Sequence, residues 1–131
     1  MAVSGEHVPS SRKVRFYKTA TGAELFRSEL DKLGFEAKAE LVAAIRRRSR
    51  GQHLPREDEQ VRGRIRSIRA TYDGCEYRAL YAFVGAHDEV LLALHAINKK
   101  FQRLPKAVID RAASRLADWE RHGAQLRPER N

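Results

Sequence analysis

The spacing of apolar positions along the chain predicts the element order β-α-α-β-β-β-α. Residues 14–18, "VRFYK", alternate apolar and basic side chains and are rich in strand formers. From Thr21 the period becomes helical. Leu25, Phe26, Leu30 and Leu33 recur at that spacing, Thr21 and Glu24 have the spacing of a capping box, and Gly34 is placed to end the helix. A second helix takes Phe35, Ala39, Leu41, Val42 and Ile45 as its apolar stripe. It closes on "RRRSRG", residues 46–51, where cations suit the negative end of the helix dipole and Gly51 suits the C′ position. Residues 52–60, "QHLPREDEQ", are expected to be a loop. Then "VRGRIRSIRATY", "EYRALYAFV" and "EVLLALHAIN" predict three strands joined by the short turns "YDGCE" and "GAHDE", and therefore antiparallel. The nearly unbroken apolar run Val90–Ile97 predicts a strand covered on both faces. A last helix begins at Pro105 and carries Val108, Ile109, Ala112, Ala113, Leu116 and Trp119 on one stripe. The expected fold is α+β: a helix hairpin and a C-terminal helix packed on a curved antiparallel sheet. Residues 1–13 and 122–131 are expected to be flexible ends flanking one domain, 14–121.

Composition narrows the function. With 131 residues, 42% of them hydrophobic, the chain suffices for one cored domain but not two. Lys and Arg outnumber Asp and Glu 26 to 17, a net charge of +9 that favours a polyanionic partner such as nucleic acid or the ribosome. One cysteine, Cys75, forms no internal disulfide, which suits a reducing compartment. There is no pair of CxxC motifs to hold zinc, and no metal or cofactor is expected. The N-terminus has no apolar core of a signal peptide, and the longest apolar run is too short for a bilayer, so no membrane partner and a cytoplasmic location are expected.

Strand periodicity sorts the basic residues by face. Ile65, Ser67 and Arg69 share one face, and Arg64, Arg66 and Ile68 the other. In the next strand Glu76, Arg78, Leu80 and Ala82 lie opposite Tyr77, Tyr81 and Phe83. In the last, Leu91, Ala93, His95, Ile97 and Lys99 lie opposite Leu92, Leu94, Ala96, Asn98 and Lys100. His95 is an acid–base candidate by its chemistry, though strict alternation keeps it off the face of Lys100.

Three stretches carry a resemblance: "VRGRIRSIR" (61–69), "EYRALY" (76–81) and "LLALHAINKKFQRLP" (91–105). In this order, after such a helix hairpin, they resemble the RelE/ParE superfamily of bacterial toxins, in its HigB-like, phage-derived branch. The resemblance implies a toxin that cleaves mRNA on the ribosome and is held inactive by a cognate antitoxin, a small helix-turn-helix protein. The ParE branch, which inhibits gyrase, and a non-catalytic nucleic-acid or protein-binding module are the alternatives. Carried onto this sequence, it implies Arg69 and Arg78 on the scissile phosphate. Lys100, or Lys99 if a bulge shifts the phase, would supply further charge and the leaving-group proton. Arg62, Arg64 and Arg66, the run Arg46, Arg47 and Arg48, and Arg103 are expected to contact RNA or the ribosome. Ser67 stands where a Glu often precedes the Leu-Arg of this family, so no general base is evident.

Overall fold

The structure is a computed structural model and describes residues 11–100 and 103–122. Its elements run β1 (Lys13–Phe16), α1 (Leu25–Lys32), α2 (Phe35–Ser49), β2 (Asp58–Arg62), β3 (Ile65–Tyr72), β4 (Cys75–Val84), β5 (Val90–Lys99) and α3 (Lys106–His122). The strands form one sheet in the order β1-β5-β4-β3-β2. Three helices on a five-stranded sheet make the expected α+β fold. Two features add to it. β1 lies parallel to β5, which makes the sheet mixed. The segment read as a loop, 52–60, supplies an edge strand: a 3-10 turn at Pro55–Glu57 leads into β2, which turns at Gly63 to run antiparallel to β3. The run "VRGRIRSIRATY" is therefore the end of one strand and the whole of the next. Its Gly63, at φ +54°, is the break.

Local chemistry explains most boundaries. Asp73 and Gly74, with φ of +52° and +78°, form the two-residue turn that joins β3 to β4, as a DG pair should. Gly51, at φ +71°, ends α2 while Gln52 N–H donates to Arg47 O at 2.8 Å. The start of α1 departs from the expected capping box. The Thr19 hydroxyl accepts from Ala23 N–H at 3.0 Å, and Glu24 takes the N-cap position without a side-chain bond. Thr21 instead sits opposite Thr19 in the preceding turn, their hydroxyls 3.1 Å apart. The stripe of α2 is also shifted. Ala37, Leu41, Ala44 and Ile45 are buried, whereas Phe35 is 81% exposed at the tip of the helix hairpin and Ala39 faces solvent.

β4 and β5 are buried along both faces, with Ala79, Leu80, Tyr81, Leu91, Leu92 and Leu94 fully enclosed. α1, α2 and α3 close over them. Of the expected flexible ends, residues 1–10 and 123–131 lie outside the described residues. Ser11–Lys13 are held, since Arg12 N–H donates to Ser49 O at 2.8 Å and its Nε to Asp88 O at 2.7 Å. No helix among the described residues is long and apolar enough to cross a membrane.

Candidate functional site

Register decides which basic residues meet. β3 and β4 place Arg69 directly opposite Arg78 and Ser67 opposite Leu80. β4 and β5 place Glu76 opposite Lys99, Arg78 opposite Ile97 and Leu80 opposite His95. β2 adds Glu59 opposite Ser67. Cross-strand partners project from the same face, so one face carries Glu59, Ser67, Arg69, Glu76, Arg78, His95 and Lys99. Two arginines directly opposite each other repel, and an anion has to lie between them. Glu76 is that anion. Arg78 Nε donates to Glu76 Oε2 at 2.6 Å, Arg69 Nη1 to Glu76 Oε1 at 3.4 Å, and Lys99 Nζ lies 3.9 Å from Oε2. Burial pushes the Glu76 carboxyl up. The Arg78 hydrogen bond and the charges of Arg78, Lys99 and Arg69 outweigh it and hold the carboxyl below its ordinary value.

Arg78 is only 6% exposed. Besides Glu76 it meets Ser67 Oγ at 3.1 Å and Glu59 Oε2 at 3.5 Å, both through Nη1. Ser67, fully buried, thus orients the arginine. Arg69 is more open, its Nε tied to Arg56 O at 3.0 Å. The Glu59 side chain is 60% exposed, the open carboxylate at this cluster. Glu59 and Glu76 are the residues that sequence reasoning missed. Glu59 fell inside the supposed loop, and the signal for it was the β2 segment's acidic, turn-bounded run ahead of Gly63. Glu76 was placed on the correct face but given no role.

On β5 the structure selects Lys99. It shares the face of Arg78, whereas Lys100 is exposed just past the end of the strand. A bulge is present, because Tyr81 pairs with Ala93 and leaves Leu94 as an extra residue. It precedes His95, so His95 and Lys99 stay in phase. His95 is buried, with Nδ1 2.9 Å from Glu29 Oε1. Glu29 and Arg115 together finish the open edge of β5 beyond β1. Ala96 N–H donates to Glu29 Oε1 at 3.1 Å, Arg115 Nη1 donates to Leu94 O at 2.8 Å, and Arg115 Nη2 pairs with Glu29 Oε2 at 2.8 Å. This places His95 in a structural network joining α1, β5 and α3.

That network predicts acid sensitivity. Burial raises the Glu29 carboxyl, but hydrogen bonds from His95, Arg115 and Ala96 bring it down from 4.5 to about 2. A carboxyl depressed in the folded state adds stability above its unfolded value and loses it as pH falls through the folded one. Unfolding free energy from urea titrations is therefore expected to fall between pH 5 and pH 2, by on the order of 2–3 kcal/mol from this group. Glu29→Gln should flatten that dependence. An unchanged pH profile in the variant would assign the loss elsewhere.

The remaining arginines are largely consumed inside the molecule. Arg62 pairs with Asp110 at 2.7 Å, Arg64 with Glu120 at 2.5 Å and Arg47 with Glu57 at 3.0 Å. Arg66 donates to Asp58 Oδ2 at 2.6 Å, and Arg48 Nε donates to Tyr81 Oη at 2.8 Å and lies 3.5 Å from Asp58. The Tyr81 hydroxyl in turn donates to Asp58 Oδ1. Burial and the Asp58 hydrogen bond push that hydroxyl up to about 12. Arg48 and Arg66 thus serve the protein's interior. Arg46 and Arg103 are exposed.

Comparison with known proteins agrees with this arrangement. Residues 28–117 match the family described as "Phage derived protein Gp49-like". The "Probable endoribonuclease HigB1" proteins of Mycobacterium tuberculosis strains CDC 1551 / Oshkosh and ATCC 25618 / H37Rv are each 30% identical to the chain over 106 residues. The matched region spans 81% of this chain and 82% of theirs. With its sheet order, its paired Arg69 and Arg78 and this extent of similarity, the chain belongs to the phage-derived Gp49-like family, the HigB-like branch of the RelE/ParE superfamily.

Proposed function

We propose that this protein is the toxin of a type II toxin–antitoxin pair, a metal-independent endoribonuclease that cleaves mRNA on the ribosome in the cytoplasm. Its proposed partner and inhibitor is a small helix-turn-helix antitoxin. The observation that carries the reading is the convergence of Arg69, Arg78 and Lys99 on one carboxylate position, with the open carboxylate of Glu59 beside Arg78. Three cations around one anion form a phosphate site that Glu76 fills in its absence. A substrate phosphate takes the place of that carboxylate.

On this reading Glu59 accepts the proton of the ribose 2′-hydroxyl. The 2′-oxygen attacks the adjacent phosphorus, and the bond from phosphorus to the 5′-oxygen breaks, leaving a 2′,3′-cyclic phosphate and a 5′-hydroxyl. Lys99 gives the leaving oxygen its proton. Arg69 and Arg78 brace the non-bridging oxygens as charge gathers there, a role suited to a planar, permanently charged fork.

The test combines purified protein with ribosomes programmed with a defined mRNA and maps 5′ ends by primer extension. Cuts in the ribosomal A site are expected. Glu59→Gln should slow them by about 10²-fold, the scale of one general base, and flatten the acid limb of the pH–rate profile. Wild-type rates in this variant would remove Glu59 from the reaction. Absence of cuts by folded wild-type protein would overturn the nuclease reading. Inhibition of supercoiling would then favour a gyrase-directed toxin, and salt-sensitive RNA binding without cleavage a binding module.

A further inference from the structure

The unneutralised positive charge lies at the opposite edge of the sheet. A groove of about 720 Å³ runs along β1, between α2 and α3. Val14, Phe16, Val42, Ile45 and Trp119 contribute its apolar surface. Arg15, Lys18, Arg46 and Arg50 stand around it, and none of the four has an ion-pair partner among the described residues. That contrasts with Arg62, Arg64, Arg66, Arg69 and Arg78, which all do.

The groove also contains an open strand edge. β1 is bonded to β5 alone. Lys13 N–H donates to Glu89 O and Tyr17 N–H to Ala93 O, so the odd-numbered residues direct their main chain toward β5. Even-numbered ones point the other way. Arg12 N–H is already taken by Ser49 O. Val14 and Phe16 are left with main-chain N–H and C=O groups aimed into the groove. An edge of this kind takes an additional strand.

We infer that the β1 groove is a docking site for an acidic, extended peptide segment of a partner protein, which adds to the sheet as a sixth strand beside β1. A peptide matches each demand of the groove. Its backbone supplies donors and acceptors in alternation, which Val14 and Phe16 require. Its side chains alternate in direction, so acidic residues reach Arg15, Lys18, Arg46 and Arg50 while apolar ones cover Val42 and Trp119. RNA fits less well, because phosphates accept hydrogen bonds but donate none to the Val14 and Phe16 carbonyls. The inference is independent of whether the Arg78 cluster cuts RNA.

The experiment is a titration of the full-length 15N-labelled protein, followed by NMR, with a blocked heptapeptide alternating glutamate and valine. Saturable shifts and slowed hydrogen exchange are expected at Val14 and Phe16. Val14→Pro removes one outward donor and leaves the β5 pairing intact, as proline is tolerated on an edge strand. It should abolish binding. Arg46→Glu with Arg50→Glu should weaken binding at least tenfold, and this pair carries the test if the proline variant fails to fold. The inference is overturned in any of three cases: the peptide leaves these amides unmoved, both variants bind it as the wild type does, or a 2′-O-methyl RNA hexamer shifts them while the peptide does not. Shifts that follow protein concentration alone would overturn it in favour of a second copy of the chain.

Discussion

Arg78→Ala is expected to lower single-turnover mRNA cleavage by roughly 10²- to 10³-fold, the scale of losing one preorganised donor to a charged transition state. Arg78 is the best held cation of the cluster, fixed by Glu76, Ser67 and Glu59 and nearly removed from solvent. Such fixing makes its charge effective, because little rearrangement is needed when charge develops nearby. Arg78→Lys should recover only part of the rate, since lysine keeps the charge but not the planar fork. Arg69→Ala should lose less, because Arg69 is more exposed and half engaged with the Arg56 carbonyl. The decisive readout is the salt dependence. A loss in rate at saturating substrate, with an unchanged salt slope for binding, marks transition-state stabilisation. A uniform loss of affinity with a shallower slope would reduce Arg78 to an ordinary phosphate contact. Cleavage within threefold of wild type would take it out of the site. Thermal unfolding run beside the kinetics separates either outcome from misfolding.

Asp58→Ala is expected to have the largest effect on stability, about 3–5 kcal/mol, as when one partner is taken from a buried ion pair. The Asp58 side chain is 5% exposed and receives Arg66 and the Tyr81 hydroxyl, with Arg48 alongside. Burial pushes its carboxyl up, but the hydrogen bonds of Arg66 and Tyr81 and the charge of Arg48 hold it below the ordinary value. Removing it leaves two guanidinium groups and a hydroxyl without their acceptor. A fall in Tm of roughly 10 °C or more should follow, given a few degrees per kcal/mol for a chain of this size. A shift under about 2 °C would mean that solvent readily replaces the carboxylate.

Much of the fold was legible from pattern because it rests on local rules. The Asp73-Gly74 turn needs two residues tolerant of positive φ, and those two letters announce it. The apolar run of β5 marks a strand covered on both faces, and it is buried from Leu91 to Ala96. Failures occurred where a neighbour outweighs the local preference. Residues 58–60 read as loop because they are charged and flanked by Pro55. They form a strand because β3 offers an unpaired edge and Asp58 has Arg66 and Tyr81 waiting. Thr21 has the better capping sequence, yet Thr19 is positioned to bond Ala23.

The same division runs through the candidate site. The sequence by itself determined which cations lie on which face of each strand, since side chains alternate with a period of two, and it supplied the excess charge. Only the tertiary structure decided that Arg69 stands opposite Arg78, that Lys99 rather than Lys100 joins them, and that Glu76 and Glu59 complete the cluster. Those facts depend on inter-strand register and on a one-residue bulge at Leu94, set by packing among strands distant in sequence. Charge itself was sorted the same way. Composition cannot tell a paired arginine from an unpaired one, so only the folded chain could spend Arg48, Arg62, Arg64 and Arg66 internally and leave Arg15, Lys18, Arg46 and Arg50 open along β1.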